Sequence, residues 1–177
     1  MADGTLKVGT ITTSSGSGNI TIGSGVTVNV NRPAFQAYLG SNQTVADATA
    51  TKLNINTKVF DTDSCYDTSL YRFTPTEAGK YLVYGNAEWY STGNTFNFGA
   101  VRVYKNGSLL FSLGHNGNAS GGAQEGKEVT GVVDMNGSSD YIDMFAYVDT
   151  VNNGSILIKG HSSPRARTFM GGYKIIE

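Results

Sequence analysis

The 177-residue sequence has one cysteine, three prolines and two histidines. A single thiol, Cys65, excludes an intrachain disulfide, so the fold must be held by packing or by association. The histidines, His115 and His161, have no cysteine or second histidine at ligand spacing, so there is no zinc pattern. Charge is also scarce, with 13 basic and 14 acidic residues making up 15% of the chain. There is no basic excess to attract nucleic acid and no acidic excess to solvate a disordered tail. No run reaches the roughly eighteen apolar residues of a membrane-spanning helix, so membrane insertion is not expected. The opening "MADGTLKVGTITTSSG" lacks the basic-then-apolar order of a signal peptide, and synthesis in a reducing cytoplasm is expected.

Glycine (23) and aromatic residues (10 Tyr, 8 Phe) are abundant instead. That balance suits strands joined by tight turns better than helices, whose exposed faces are rich in Glu, Lys and Arg. From Gly9 to Asn31 there is no charged residue at all. "ITI" and "VTVNV" alternate there with Gly-Ser pairs, a pattern of short strands and turns too polar to bury a core alone. A flexible linker is one reading. Ile and Val at every second position favour the other, a β-rich arm over residues 1–31 that orders against copies of itself or a larger assembly.

"NRPAF" marks a change of texture, and strand signals then recur through residues 32–177. They are "KLNINTKVF", "YRFTP", "KYLVYGNAEWY", "TFNFGAVRVY", "SLLFSLG", "EVTGVVDM", "DYIDMFAYV", "SILIKG" and "TFMGGYKII". Asn106-Gly107, flanked by alternating apolar residues, is a strong hairpin signal. Only "QTVADATATKL" resembles a helix, and its threonines and apolar spacing argue against one. Pro75 cannot donate to a ladder, so the chain must leave its strand near Thr74. In "KYLVYGNAEWY", Tyr81, Val83, Gly85, Ala87 and Trp89 share one face and Leu82, Tyr84 and Tyr90 the other. Large apolar groups on both faces imply a central strand or one that meets a partner. The pattern predicts an all-β sandwich or jelly roll.

These residues also resemble a known family. Phe60-Asp61, Tyr66-Asp67, "FTP" at Phe73 to Pro75 and "AGKYLV" at Ala78 to Val83 are similar to the signature of the complement-1q and tumour necrosis factor-like jelly roll. "PAF", "VRVYKNGSLL", "VTGVVDMNGSSDYIDMFAYV" and "TFMGGYKII" follow in that family's order. The spacing of "FTP" is one residue shorter than in the family, and Ser139-Asp140 replaces its Gly-Asp. A collagen-like Gly-X-Y stalk is absent and the Ser/Thr/Gly arm stands in its place, which looks more like the versions in bacteriophage virion proteins. The resemblance implies a homotrimer with aromatics packed about the threefold axis. "DYIDMFAYV" offers Tyr141, Phe145 and Tyr147 on an aromatic, polar-tipped face, opposite Ile142, Met144, Ala146 and Val148 as core. Phe35, Tyr81, Phe169 and Tyr173 are candidates to join that interface.

No catalytic pattern stands out. "GGAQEGKE" nearly spells a phosphate-binding loop, but Glu128 replaces the hydroxyl and the segment leads into a strand. His115 and His161 read as exposed loop residues, and Cys65 as a buried thiol without a base. No metal is expected: Asp61, Asp63 and Asp67 in "DTDSCYD" read as solvated charges or turn caps, and they are calcium candidates only because some relatives bind calcium, since Cys65 and Tyr66 fill places a helix-flanked calcium loop would need. Arg165 and Arg167 in "SSPRAR" could grip an anion. No cofactor and no enzymatic activity are expected. The expected role is a structural protein of a phage virion, assembled in the bacterial cytoplasm. It would be a trimeric fibre or knob bound to other virion proteins through residues 1–31 and adsorbing to a host-surface glycan or protein. Candidate contacts lie around "STGNTFN" and "GHNGNASGGAQEG": Trp89, Tyr90, Asn94, Phe96, His115, Asn116 and Asn118. A capsid decoration or tail-attachment protein without a receptor role, and a free-standing lectin-like bacterial protein, are the alternatives.

Overall fold

A computed structural model describes residues 24, 32–90, 96–117, 124–162 and 167–176. The chain divides into two compact units, Met1–Val30 and Asn31–Glu177. In the first, only Ser24 is described, an exposed turn residue, so the β reading of the arm lies outside the described residues. In the second, every described element is a strand.

The strands are β1 (Ala34–Tyr38), β2 (Gln43–Val45), β3 (Thr51–Lys52), β4 (Thr57–Asp61), β5 (Tyr66–Asp67), β6 (Arg72–Phe73), β7 (Ala78–Tyr90), β8 (Phe96–Lys105), β9 (Ser108–Asn116), β10 (Gln124–Asn136), β11 (Ile142–Thr150), β12 (Ile156–Ile158) and β13 (Phe169–Ile176). They form two antiparallel sheets. In the first, β10 runs beside β7 along its whole length, from Ala78 opposite Asn136 to Tyr90 opposite Gln124. The other edge of β7 is shared by β13 and β12, and β13 leads on to β1 and β4. The second sheet runs β5-β6-β11-β8-β9, with β3 also pairing β11. The "QTVADATATKL" segment is two short strands, β2 and β3, around a turn in which Ala48 takes φ 47°.

Alternation sets the core. Tyr81, Val83, Ala87 and Trp89 of β7 face Val101 and Val103 of β8 and Ile142, Met144, Ala146 and Val148 of β11, all buried between the sheets. Gly85 makes room for the Met144 side chain that crosses from the opposite sheet. Asn106 and Gly107 turn β8 into β9 with φ 52° and 79°, the positive angles a two-residue hairpin of this kind requires. β6 ends at Phe73, and the buried Pro75 separates it from β7, which begins at Ala78.

Candidate functional site

The aromatic residues singled out by sequence fall into three separate places. Phe35 and Tyr81 are fully buried between the sheets. Phe35 stacks on Phe73 with centroids 4.3 Å apart and on Tyr66 at 4.9 Å, and Tyr81 meets Phe73 edge-on. Burial first, then Glu77, raises the Tyr81 hydroxyl above its ordinary range, and the group donates to the Glu77 carbonyl at 2.8 Å. Neither side chain is available to a partner subunit. The expectation that they line an interface is corrected: alternation along β1 and β7 turns both inward.

The other interface candidates divide between opposite sides of the sandwich. Phe169 and Tyr173 lie opposite Asn86 and Leu82, so they share the outer face of the first sheet with Leu82 and Tyr84. Across β7 that face continues to Thr130 and Val132, and across β1 to Phe60. Tyr173 (46%), Val132 (54%) and Phe60 (43%) are strongly exposed. A depression of about 180 Å³ opens there between Tyr84, Phe169, Glu128 and Thr130. Tyr141, Phe145 and Tyr147 belong instead to the outer face of the second sheet, because β11 pairs β8 and β6. One interface patch cannot hold both groups.

On that second face the rings are joined by cations. Tyr104 and Phe145 lie 4.3 Å apart between centroids, and Phe98 meets Tyr147 edge-on at 6.0 Å. Arg102 lies 4.2 Å over the Tyr147 ring and Arg72 lies 4.6 Å over Tyr141. Among them sits Asp143, only 4% exposed, its Oδ2 accepting from Lys52 Nζ at 2.6 Å.

The receptor-loop candidates are redistributed as well. Trp89 and Phe96 are buried in the core, which removes them from any contact surface. His115 is not in a loop: it is on β9, stacked near Trp89, with Nε2 2.7 Å from Glu125 Oε2. Tyr90 is half-buried beneath Lys159, whose Nζ lies 4.8 Å over its ring. Asn116 is exposed at the end of β9, while Asn94 and Asn118 lie outside the described residues, as does Arg165. Arg167 pairs with Glu88 at 3.1 Å. The phosphate-loop look-alike runs directly into β10 from Gln124.

The three aspartates do not converge on a cation. Asp61 accepts from the amides of Cys65 and Tyr66, and Asp63 from the hydroxyl of Thr76. Asp67 accepts from the amides of Ser69 and Leu70 and from the Ser69 hydroxyl. Those bonds, the hydroxyl of Ser69 first, hold the Asp67 carboxyl below the usual carboxylate range. Among the described residues no three His, Cys, Asp or Glu side chains gather as a metal site, so the calcium candidates are not brought together. These carboxylates instead fasten the loop between β4 and β6. Burial, then Asp63 and Asp61, push the Cys65 thiol up to about 12, so it stays protonated.

Solved structures share this arrangement. The globular domain of zebrafish complement 1qA protein matches with a TM-score of 0.59 at 16% identity, over 82% of this chain and 98% of that one. The tumour necrosis factor Eiger of S. frugiperda matches with a TM-score of 0.56 at 8% identity, over 82% and 92%. Murine APRIL at pH 8.0 matches with a TM-score of 0.57 at 16% identity, over 81% and 99%. The fold is the complement-1q and tumour necrosis factor jelly roll. No family model and no curated protein matches the sequence. At these identities the likeness carries the fold alone.

Within this jelly roll, the residues that sequence reasoning passed over are Phe98, Arg102 and Tyr104 of β8 and Lys52 and Arg72 beside β11. The signal was present in "FNFGAVRVY": Phe98, Ala100, Arg102 and Tyr104 alternate with Gly99, Val101 and Val103. The open edge of the sandwich was passed over too. There the Phe111 ring of β9 lies against Gly131 of β10, and Leu109, Leu110 and Leu113 are exposed.

Proposed function

We propose that the chain is a non-enzymatic structural protein of a bacteriophage virion. Its jelly roll assembles as a homotrimeric knob, and residues 1–31 attach it to other virion proteins. The knob adsorbs to a glycan or protein of the host surface. The observation that carries this reading is the presence of two unlike apolar surfaces on one chain. One is the outer face of the first sheet, with Phe60, Val132, Phe169 and Tyr173; the other is the edge strand β9, with Leu109, Leu110 and Leu113. Patches that are not self-complementary join head to tail, and such contacts either close into a ring or grow without limit. Closure by three is what the resemblance to the complement-1q family implies. Joining the patches would also cover an apolar edge strand, which otherwise invites aggregation.

A chain-mass measurement tests the trimer. Light scattering of the full chain over a dilution series should give three times 18.8 kDa. Leu113→Asp should reduce this to one chain while the circular dichroism of the sandwich persists. A wild-type monomer at all concentrations overturns the knob. For the virion role, deleting residues 1–31 should abolish incorporation into particles, and the purified protein should compete with phage for host cells. Binding to purified capsids with none to cells would mark a decoration protein instead.

A further inference from the structure

The outer face of the second sheet lies on the far side of the sandwich from the first sheet's apolar face, and it has a composition of its own. We propose that it is a carbohydrate-binding site that takes a pyranose-containing glycan. This inference does not rest on the virion reading. Tyr104 and Phe145, both half-buried, pack against each other with centroids 4.3 Å apart and planes tilted by 39°, and the edge-on pair of Tyr147 and Phe98 continues this aromatic strip along β11 and β8. The negative face of an aromatic ring attracts the apolar, electropositive C–H face of a sugar as it does a cation.

The polar groups beside this strip are unsatisfied. Asp143 Oδ2 is bonded to Lys52, but Oδ1 is buried without a partner on a side chain only 6% exposed. Arg102 faces Phe145 across the ladder, and its Nε is likewise buried without a partner. Buried polar atoms are almost always bonded, so an acceptor and a donor left open on one face point to a ligand that completes them. Because Asp143 is opposite Tyr104 and Arg102 opposite Phe145, the two are diagonal neighbours, about 7–8 Å apart in the backbone. That is the reach of one sugar ring with its hydroxyls. Once the long Lys52 and Arg102 side chains shift to admit the sugar, one hydroxyl would donate to Asp143 Oδ1 and another would accept from Arg102 Nε.

Charge chooses among ligand classes. Lys52, Arg72 and Arg102 are balanced by Asp67, Asp143 and Asp149 on the same face. The three carboxylates oppose a phosphate backbone, which a nucleic-acid groove would not do. Six charged side chains also disfavour an apolar peptide.

The test is native affinity electrophoresis of the full chain in gels holding dextran, pullulan, laminarin or alginate. At least one polymer should retard the protein. Phe145→Ala and, independently, Arg102→Gln should raise the apparent Kd at least tenfold with unchanged circular dichroism. Tyr173→Ala, on the opposite face, should leave it unchanged. The proposal is overturned if no polymer retards the wild type, if both variants bind as well as it does, or if only oligothymidylate retards it. The solution mass of Phe145→Ala separates this inference from the trimer. A fall to monomer would make the face a subunit contact and end the glycan reading, whereas a wild-type monomer that still binds dextran would end only the knob.

Discussion

A methyl group added at Gly99 would collide with the protein's sole tryptophan. Gly99 lies on the inner face of β8, and the Trp89 indole rests on it from the other sheet. A Cβ there would come within 2.8 Å of Cε2 and 3.2 Å of Cη2, and closer still to Cζ2. Carbon contacts are comfortable at about 3.5–4.0 Å, so the indole must retreat by roughly 1 Å. It has no exposed surface and nowhere to go. Overpacking of a dense core costs typically ~1–3 kcal/mol, and Gly99→Ala should fall near the top of that range, about 3 kcal/mol. For a chain of this length that lowers Tm by roughly 6–12 °C. Urea denaturation followed by circular dichroism, at one fixed protomer concentration, measures it. Trp89→Phe removes the colliding atoms, so the double variant should cost about 1–2 kcal/mol less than the sum of the single ones. A Gly99→Ala cost below about 1 kcal/mol, or additivity within about 0.5 kcal/mol, would refute the packing argument.

Lys52→Met leaves Asp143 with neither oxygen paired, and should cost about 3 kcal/mol by urea denaturation. Adding Asp143→Asn should recover more than half, and a Lys52→Met cost under about 1 kcal/mol would show the pair to be dispensable. With its thiol pushed up to about 12, Cys65 should react with an aromatic disulfide reagent at pH 8 roughly a hundredfold more slowly in the native protein than after unfolding. Equal rates would show the thiol to be open to solvent. Asp140 accepts from Lys105 at 2.8 Å and Asn106 at 2.7 Å, which hold its carboxyl below the usual range. A depressed carboxyl stabilises the fold above its unfolded value of about 3.9, and that contribution is lost as pH falls through the folded value. Asp140→Asn should therefore be less stable than wild type at about pH 7, and the difference should close on acidification below pH ~4. A difference that persists at low pH would place the effect elsewhere.

The strands are legible in the sequence because period-two alternation and turn chemistry are local. Asn106-Gly107 fixes its hairpin from two residues alone, and Pro75 ends a ladder wherever it stands. Which strands share a sheet is not local. The alternation of β11 taken alone does not reveal that Phe145 and Tyr173 look away from each other, because that follows from β11 pairing β8 while β13 pairs β7. Trp89 shows a second limit. β7 carries aromatics on both faces, and parity groups Trp89 with Tyr81 without saying which group faces inward. The Asp143 site combines both limits, since Lys52 reaches it from 91 residues away in the chain.

β1 is an inner strand, bonded to β13 on one side and to β4 on the other. It is also the strand that the chain enters directly from residues 1–31. Tension transmitted through that segment and running along β1 would act at right angles to the hydrogen bonds of both its ladders. The bonds would then be loaded together in shear and not opened one after another, as they would be on a strand peeled from a sheet edge. Arg32, which donates to the Ile175 carbonyl at 2.8 Å, adds a clasp at the point of entry. β1 would thus resist such a pull as a whole, with its strength set by how many bonds must fail at once.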